Sequence, residues 1–290
     1  MSRIILLGGS GFIGSNLLTQ LEAQNFEVKT MFHKKKLKTN SKNFYGNILE
    51  PKKLDSVLKK DDIVINLVGQ TSKIQTNFIE TNILGAINLL DSCYKNKVRQ
   101  LIFLSSINVY GENMKTPSKE TDLLNPITFY GKIKSLTEEI YSSWAENYGI
   151  NVTILRLSNI YGPKKKSGFI ANLVNSTVNK KIENIAFNHG NQYRDLLYVD
   201  DVVNGIILAI KTPQKGFNIY NLSSGKRYSI KKIISIIEQL SGKKVNVKYS
   251  NQIPDEKCIW ANNLKAQRFL KFSPTVNLKD GLELMIKKLH

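Results

Sequence analysis

The chain has 290 residues, 41% hydrophobic and 22% charged, enough for one large or two closely packed globular domains. Two cysteines (Cys93, Cys258) and three histidines (His33, His189, His290) show no metal-ligand spacing, so no metal is expected and both thiols should be reduced. The net charge of +19 rests on scattered lysines with only six arginines among 42 basic residues. Sequence-reading nucleic-acid proteins lean on arginine's bidentate fork, so no nucleic-acid partner is expected, while the positive field favours phosphate-bearing ligands.

No stretch approaches the roughly 20 apolar residues that span a bilayer, so a cytoplasmic protein without a membrane partner is expected. Along the first half, apolar strand-like runs stand at Arg3–Leu7, Glu27–Phe32, Asp62–Leu67, Gln100–Ser105 and Asn151–Leu157. Helical patterns alternate with them at Phe12–Ala23, Pro51–Leu58, Ile74–Lys95 and Ile127–Tyr148. Continuous apolar strands separated by helices predict an α/β fold, a doubly wound parallel sheet covered on both faces. The second half is less regular, with helices expected at Phe169–Asn179, Asp200–Lys211, Ile230–Ser241, Asn262–Leu270 and Leu278–Lys288. Short strands are expected there at Gly216–Asn221 and Lys244–Lys248. The organisation read from this is a dinucleotide-binding domain over residues 1–160 and a smaller mixed α/β substrate domain over 161–290. Residues 190–215 are expected to pack back on the first domain.

The loop "LLGGSGFIGSNLL" joins the first strand to the first helix, with Gly8, Gly11 and Gly14 at three-residue spacing. Glycines there permit a tight turn, close approach of backbone to a pyrophosphate, and close helix–strand packing. Phe12 and Ile13 open the helix, whose N-terminal N–H groups and dipole suit phosphates. Beyond the second strand the chain reads "MFHKKKLK", without the carboxylate that usually takes an NAD ribose. His33, Lys34 and Lys35 stand where a 2′-phosphate would lie, which favours NADP(H) while leaving NAD(H) open.

Tyr-x-x-x-Lys at helical spacing puts both side chains on one face, where an ammonium is expected to lower the phenol's pKa. Among 12 tyrosines and many lysines, chance alone yields about one and a half such pairs. Three occur, Tyr130/Lys134, Tyr161/Lys165 and Tyr228/Lys232. Gly162 and Pro163 break any helix after Tyr161, and Tyr228 lies far from the glycine loop. Tyr130/Lys134 is therefore the candidate for proton exchange, with Ser106 at the fourth strand's end as the donor that holds a substrate oxygen.

Together these segments resemble the extended short-chain dehydrogenase/reductase family, the NAD(P)-dependent epimerase/dehydratase type acting on nucleotide sugars, whose Rossmann-like fold matches the predicted sheet. "GGSGFIGSNL" looks like its glycine loop, and "YGNILEP" like the adenine contact, carried by Asn47 and Ile48. "INLVGQ" resembles the strand end at which Leu67, Val68 and Gly69 pass the cofactor, and "ETNILGAINLLDSC" the helix bearing Asn82. "SSINVYG" and "YGKIK" supply Ser106, Tyr130 and Lys134, and "LRLSNIYGP" carries Leu157 beside the cofactor and Asn159 beside the substrate. The resemblance implies that Asn159, and Arg194 from "GNQYRDLLYVDDV", lie near the diphosphate of a UDP- or dTDP-linked sugar, and that Asn108 contacts substrate. It also implies a homodimer paired through helices at 74–95 and 127–148.

The departures from that pattern narrow the chemistry. The family's 4,6-dehydratases place an Asp-Glu pair directly after the catalytic Ser/Thr, whereas this chain has Ile107 and Asn108, which cannot act as acid and base. Dehydration is disfavoured. The late arginine before a Pro-Gly-Asp segment is absent from "NQIPDEKC". The acid-free "FHKKK" tilts the expectation towards NADPH-dependent reduction of a keto-sugar nucleotide. The alternative is a nucleotide-sugar 4-epimerase with tightly bound NAD. A reductase of non-sugar carbonyls and a non-catalytic NADP(H)-binding protein are lesser readings.

Overall fold

The structure, a computed structural model, describes residues 2–33, 39–69, 75–178, 185–187, 192–245, 247–249 and 258–288. The longer strands are β1 (Ile4–Leu7), β2 (Val28–Phe32), β3 (Lys42–Tyr45), β4 (Ile63–Asn66), β5 (Gln100–Ser106) and β6 (Val152–Leu157). After these the chain runs through the short β7 (Asn159–Tyr161), β8 (Ile185–Phe187), β9 (Tyr193–Arg194) and β10 (Leu196–Tyr198). It then forms β11 (Phe217–Leu222), β12 (Tyr228–Ser229), β13 (Val247–Tyr249) and β14 (Cys258–Ile259). One sheet of seven strands runs in the order β11-β6-β5-β4-β1-β2-β3, every pair parallel.

Strand β1 shows why the sheet is covered twice. Its four residues are all fully buried, with Ile4 and Leu6 in one apolar cluster and Ile5 and Leu7 in the other. Helices α1 (Phe12–Ala23) and α7 (Val199–Lys211) close the first face through Leu17, Leu21, Val202 and Ile206. On the second face lie α2 (Pro51–Val57), α4 (Gly85–Lys95) and α5 (Phe129–Tyr148), through Leu54, Leu89 and Tyr141. Each such side chain contributes about 1.5–3 kcal/mol on burial. A third cluster joins α6 (Phe169–Val178), α8 (Ile230–Ser241) and α10 (Leu278–Lys287) through Leu173, Ile233 and Leu282. The remaining helices are α3 (Gln75–Ile79), continued by a π-helical turn at Glu80–Leu84, and α9 (Leu264–Leu270). Among the described residues no helix is long and apolar enough to cross a membrane.

Besides the short strands β7–β10, β12 and β14, where no strand is expected, three elements differ from expectation. Strand β3 pairs with β2 although only Phe44 of its four residues is buried, so it carries almost no apolar signal. The expected single helix over Ile74–Lys95 contains the π turn, a feature that recurs at functional sites. The strand expected at Lys244–Lys248 sits at Val247–Tyr249, where pairing with β8 decides its register. Strand order reverses between β1 and β4, which opens a crevice beyond their carboxyl ends.

Candidate functional site

The glycine loop fills that crevice's floor. Gly8 holds φ +85°, and a Cβ there would lie 3.0 Å from the Leu67 carbonyl carbon. A Cβ on Gly14 would come within 2.3 Å of the Gly8 oxygen, so glycine is what lets α1 begin against β1. Gly11 is the N-cap of α1 and offers no side chain, leaving the helix's first N–H groups without a side-chain cap. This cradle fits a dinucleotide pyrophosphate. Phe12 turns away from the loop, 3.4 Å from where a Gly162 Cβ would stand, and Ile13 packs on the core. Both therefore present backbone to the crevice.

A cleft of about 430 Å³ extends from the loop, lined by Gly8, Gly11, His33, Asn47, Ile48, Leu67, Val68 and Gly69. Ser10, Met31, Leu49, Asn77, Glu80 and Thr81 complete its wall, positions with no signal in a single sequence. Asn47 Oδ1 accepts from the Leu49 N–H at 3.1 Å, and Ile48 packs its branched end where a Gly85 Cβ would be. The first contact closes the turn after β3, and the second packs it against α4. His33 directly follows β2, with its ring 6.2 Å from that of Tyr45. Lys34 and Lys35 lie outside the described residues. Buried Asn66 fixes the next strand end: its Oδ1 accepts from the Val68 N–H at 3.0 Å and its Nδ2 donates to Tyr141 Oη at 2.9 Å.

Helix α5 carries the predicted tyrosine and lysine, and Lys134 approaches the cleft wall at Gly69. Thr128 caps it by accepting from the Gly131 N–H, and Lys134 is buried on the face towards β5. Its ammonium donates to the Leu104 carbonyl at 3.0 Å and lies 4.4 Å from the centre of the Phe103 ring. A Cβ on Gly69 would meet both Lys134 Nζ at 3.5 Å and Asn82 Oδ1 at 3.4 Å, so three predicted positions converge. Asn82 itself sits in the π turn and donates through Nδ2 to the Phe78 carbonyl at 2.8 Å. Tyr130, half-buried one turn before Lys134, has its phenol near the Ser106 hydroxyl. Ser106 ends β5 opposite Leu157 in register, so Leu157 is a core residue at the sheet's edge of the site.

The expected lowering of the tyrosine is corrected. Burial pushes the Tyr130 phenol up to about 12, and the Ser106 hydroxyl only partly opposes it. Lys134 is pushed down to about 8 by burial, against the Glu138 carboxylate one turn away. The ammonium does not offset the phenol's desolvation because it is turned to a carbonyl and an aromatic face, 6.0 Å from the Tyr130 ring centre. Behind it a buried pair crosses from α5 to β6: Arg156 Nη2 meets Glu138 Oε2 at 2.6 Å. Arg156 Nη1 also donates to Tyr110 Oη at 2.7 Å, and Tyr110 in turn donates to Asn221 Oδ1.

Of the predicted substrate residues, Asn159 and Arg194 make their hydrogen bonds outside this group. Asn159 is exposed on β7, its N–H and Nδ2 both donating to the Asp195 carbonyl at 3.0 and 3.3 Å. Arg194 on β9 is buried, with Nη1 donating to the Tyr193 carbonyl at 2.9 Å. Asp195 beside it is fully buried and accepts from the Ser224 N–H and Oγ, at 2.9 and 2.7 Å. Burial raises its carboxyl to about 6 despite those bonds. Asn108 sits in the turn immediately after Ser106 and bonds to it.

Fold, glycine cradle and Ser-Tyr-Lys group together define a dinucleotide-dependent enzyme of the Rossmann class. The chain belongs to the NAD dependent epimerase/dehydratase family, whose pattern it matches over residues 4–223. It is 29% identical over 302 residues to a putative UDP-glucose 4-epimerase of Methanocaldococcus jannaschii, covering 98% of this chain and 97% of that one. Among solved structures, it is similar to a UDP-glucose 4-epimerase of Thermotoga maritima bound to UDP-glucose, at 27% identity and TM-score 0.90, with 99% and 98% of the two chains covered. A UDP-glucuronic acid 4-epimerase of Bacillus cereus, in complex with UDP-glucuronic acid and NAD, matches at 28% identity and TM-score 0.88 with the same coverage.

Proposed function

We propose that the protein is a nucleotide-sugar 4-epimerase that retains NAD and acts on a UDP-linked sugar, rather than a keto-sugar reductase. The observation that carries the reading is the group of Ser106, Tyr130 and Lys134, joined to the dinucleotide cleft where Lys134 Nζ approaches Gly69, in a chain whose relatives over nearly its full length include UDP-sugar 4-epimerases. The bound nicotinamide would supply a reversible hydride acceptor. In its phenolate form Tyr130 takes the proton of the sugar's 4-hydroxyl as the carbonyl forms, and as the phenol it returns the proton when the carbonyl is reduced from the opposite face. Ser106 holds that oxygen in both orientations. Lys134 and Asn82 hold the nicotinamide end, while Gly8, Gly11 and the N–H groups of Phe12, Ile13 and Gly14 take the pyrophosphate. Asn47 and Ile48 face the adenine and Leu67, Val68 and Gly69 the dinucleotide's middle, with Leu157 at the sheet edge. Asn159 and Arg194 bind the sugar's diphosphate.

Relatives bound to NAD support NAD over the NADP(H) that His33, Lys34 and Lys35 favour on sequence alone. Residues 1–160, with 190–215 packed back, form the cofactor domain in this reading, and 161–290 the substrate domain. Two copies are proposed to pair through α4 and α5, whose outward faces expose Ile87, Tyr94, Leu136 and Tyr148. Light scattering that reports a monomer removes that pairing.

The test of the reaction is incubation of purified protein with UDP-glucose, UDP-glucuronic acid and their N-acetylated counterparts, followed by chromatography of the sugar nucleotides. Interconversion of 4-epimers without added nicotinamide is the expected result. Stoichiometric consumption of NADPH with a 4-keto sugar nucleotide overturns it in favour of reduction.

A further inference from the structure

Ser106 has one hydroxyl proton, and the structure shows where it goes. Ser106 Oγ donates to Asn108 Oδ1 at 3.1 Å and accepts from the Asn108 N–H at 3.2 Å. With its proton committed to Asn108, Ser106 can only accept from its other neighbours, the Tyr130 hydroxyl included. In that state Ser106 has no proton for a substrate oxygen. Epimerisation needs the opposite arrangement, in which Ser106 donates to the reacting oxygen or to a Tyr130 phenolate.

The surroundings leave one group free to make the change. Ile107 and Val109, on either side of Asn108, are fully buried. The Asn108 carbonyl oxygen lies 2.6 Å from where a Gly131 Cβ would be, so the turn is clamped on the start of α5. The backbone cannot shift without opening that packing. The carboxamide can rotate: among the described residues, Ser106 is the one hydrogen-bond partner its side chain has, through Oδ1. Half a turn replaces the acceptor Oδ1 with the donor Nδ2, at almost no cost in shape.

We propose that Asn108 is a positioning residue whose carboxamide sets the orientation of the Ser106 hydroxyl proton, holding it on Oδ1 and, after half a turn, donating to Ser106 so that this proton passes to the reacting oxygen. The inference rests on the epimerase reading above. It also gives a reason for an amide at a position where a carboxylate would hold the serine proton permanently.

Asn108→Asp supplies acceptors on both sides and no donor while ionised. It is expected to lose about 100-fold in kcat at neutral pH with KM little changed, recovering as acid protonates the new carboxyl. Asn108→Ala, which neither holds nor donates, is expected to lose about tenfold at every pH. The effect of Asn108→Asp acts through Ser106, so in a Ser106→Ala background it should shrink to a few-fold. Equal losses in both backgrounds, or a loss for Asn108→Asp that does not vary with pH, overturn the proposal. Melting temperatures of all four proteins separate these effects from misfolding, and Asn108→Ala carries the test in the two backgrounds should Asn108→Asp fail to fold. A wild-type protein inert towards every sugar nucleotide tested instead removes the epimerase reading, and with it this one.

Discussion

Tyr130/Lys134 and Tyr161/Lys165 have the same two residue types at the same spacing and opposite fates. Tyr130 lies in α5, so Lys134 falls one turn behind it on the same face and approaches Gly69 on the cleft wall. Tyr161 ends β7, and Gly162 and Pro163 come directly after it. Its ring is buried against Gly281, its hydroxyl donates to the Asn277 carbonyl at 3.3 Å, and Lys165 folds back onto the Ile160 carbonyl beside Phe12. One pair meets a serine at a strand end, while the other pins the chain to α10. Spacing makes a site only when the backbone between the residues is helical and a third group waits opposite.

The largest expected difference is catalytic. Tyr130→Phe should lower kcat for 4-epimer interconversion by about 10²–10⁴, while Tyr161→Phe leaves kcat unchanged. A matching fall in both would erase the distinction between the two pairs.

Next comes the support behind the first pair. Glu138 and Arg156 are both almost fully buried. Glu138→Ala leaves an uncompensated guanidinium and is expected to cost about 3–5 kcal/mol, read by urea unfolding. A loss under about 1 kcal/mol would mean that the pair contributes little to holding α5 on β6.

A smaller effect concerns the second half. The Asp195 carboxyl is raised from 3.8 to about 6 by burial, so its folded-state value lies above its unfolded one. Its contribution is full below the unfolded value and is lost as pH rises through about 6. Asp195→Asn should therefore gain in melting temperature relative to wild type between about pH 4 and pH 7. Parallel curves would contradict the assignment.

The smallest is the structural counterpart of the first: Tyr161→Phe should cost about 1 kcal/mol of stability, one hydrogen bond to the Asn277 carbonyl.

Much of the first half is legible in the chain itself because its signals are local. Four- to seven-residue apolar runs produce β1, β4, β5 and β6, and glycine spacing with a helix directly after it marks the loop at Gly8, Gly11 and Gly14. Gly162 and Pro163 exclude the Tyr161 pair by their own backbone preferences, and Ile107 with Asn108 removes the acid and base that elimination needs. The choice between reduction and epimerisation was not legible, since an acid-free segment after β2 speaks only to the ribose end of the cofactor.

Tertiary structure decided what depends on distant partners. Strand β3 is polar and exists because β2 offers it an edge. The direction of the Lys134 ammonium depends on Leu104 and Phe103, some thirty residues earlier, which is why the expected lowering of Tyr130 failed. The buried carboxyl of Asp195 and the Glu138–Arg156 pair likewise need elements far apart in the chain. Sequence by itself determined which residues can do chemistry, because that is a property of side chains and local backbone. Where their protons rest was settled by packing, because desolvation and hydrogen-bond direction are set by neighbours the chain reaches only once folded.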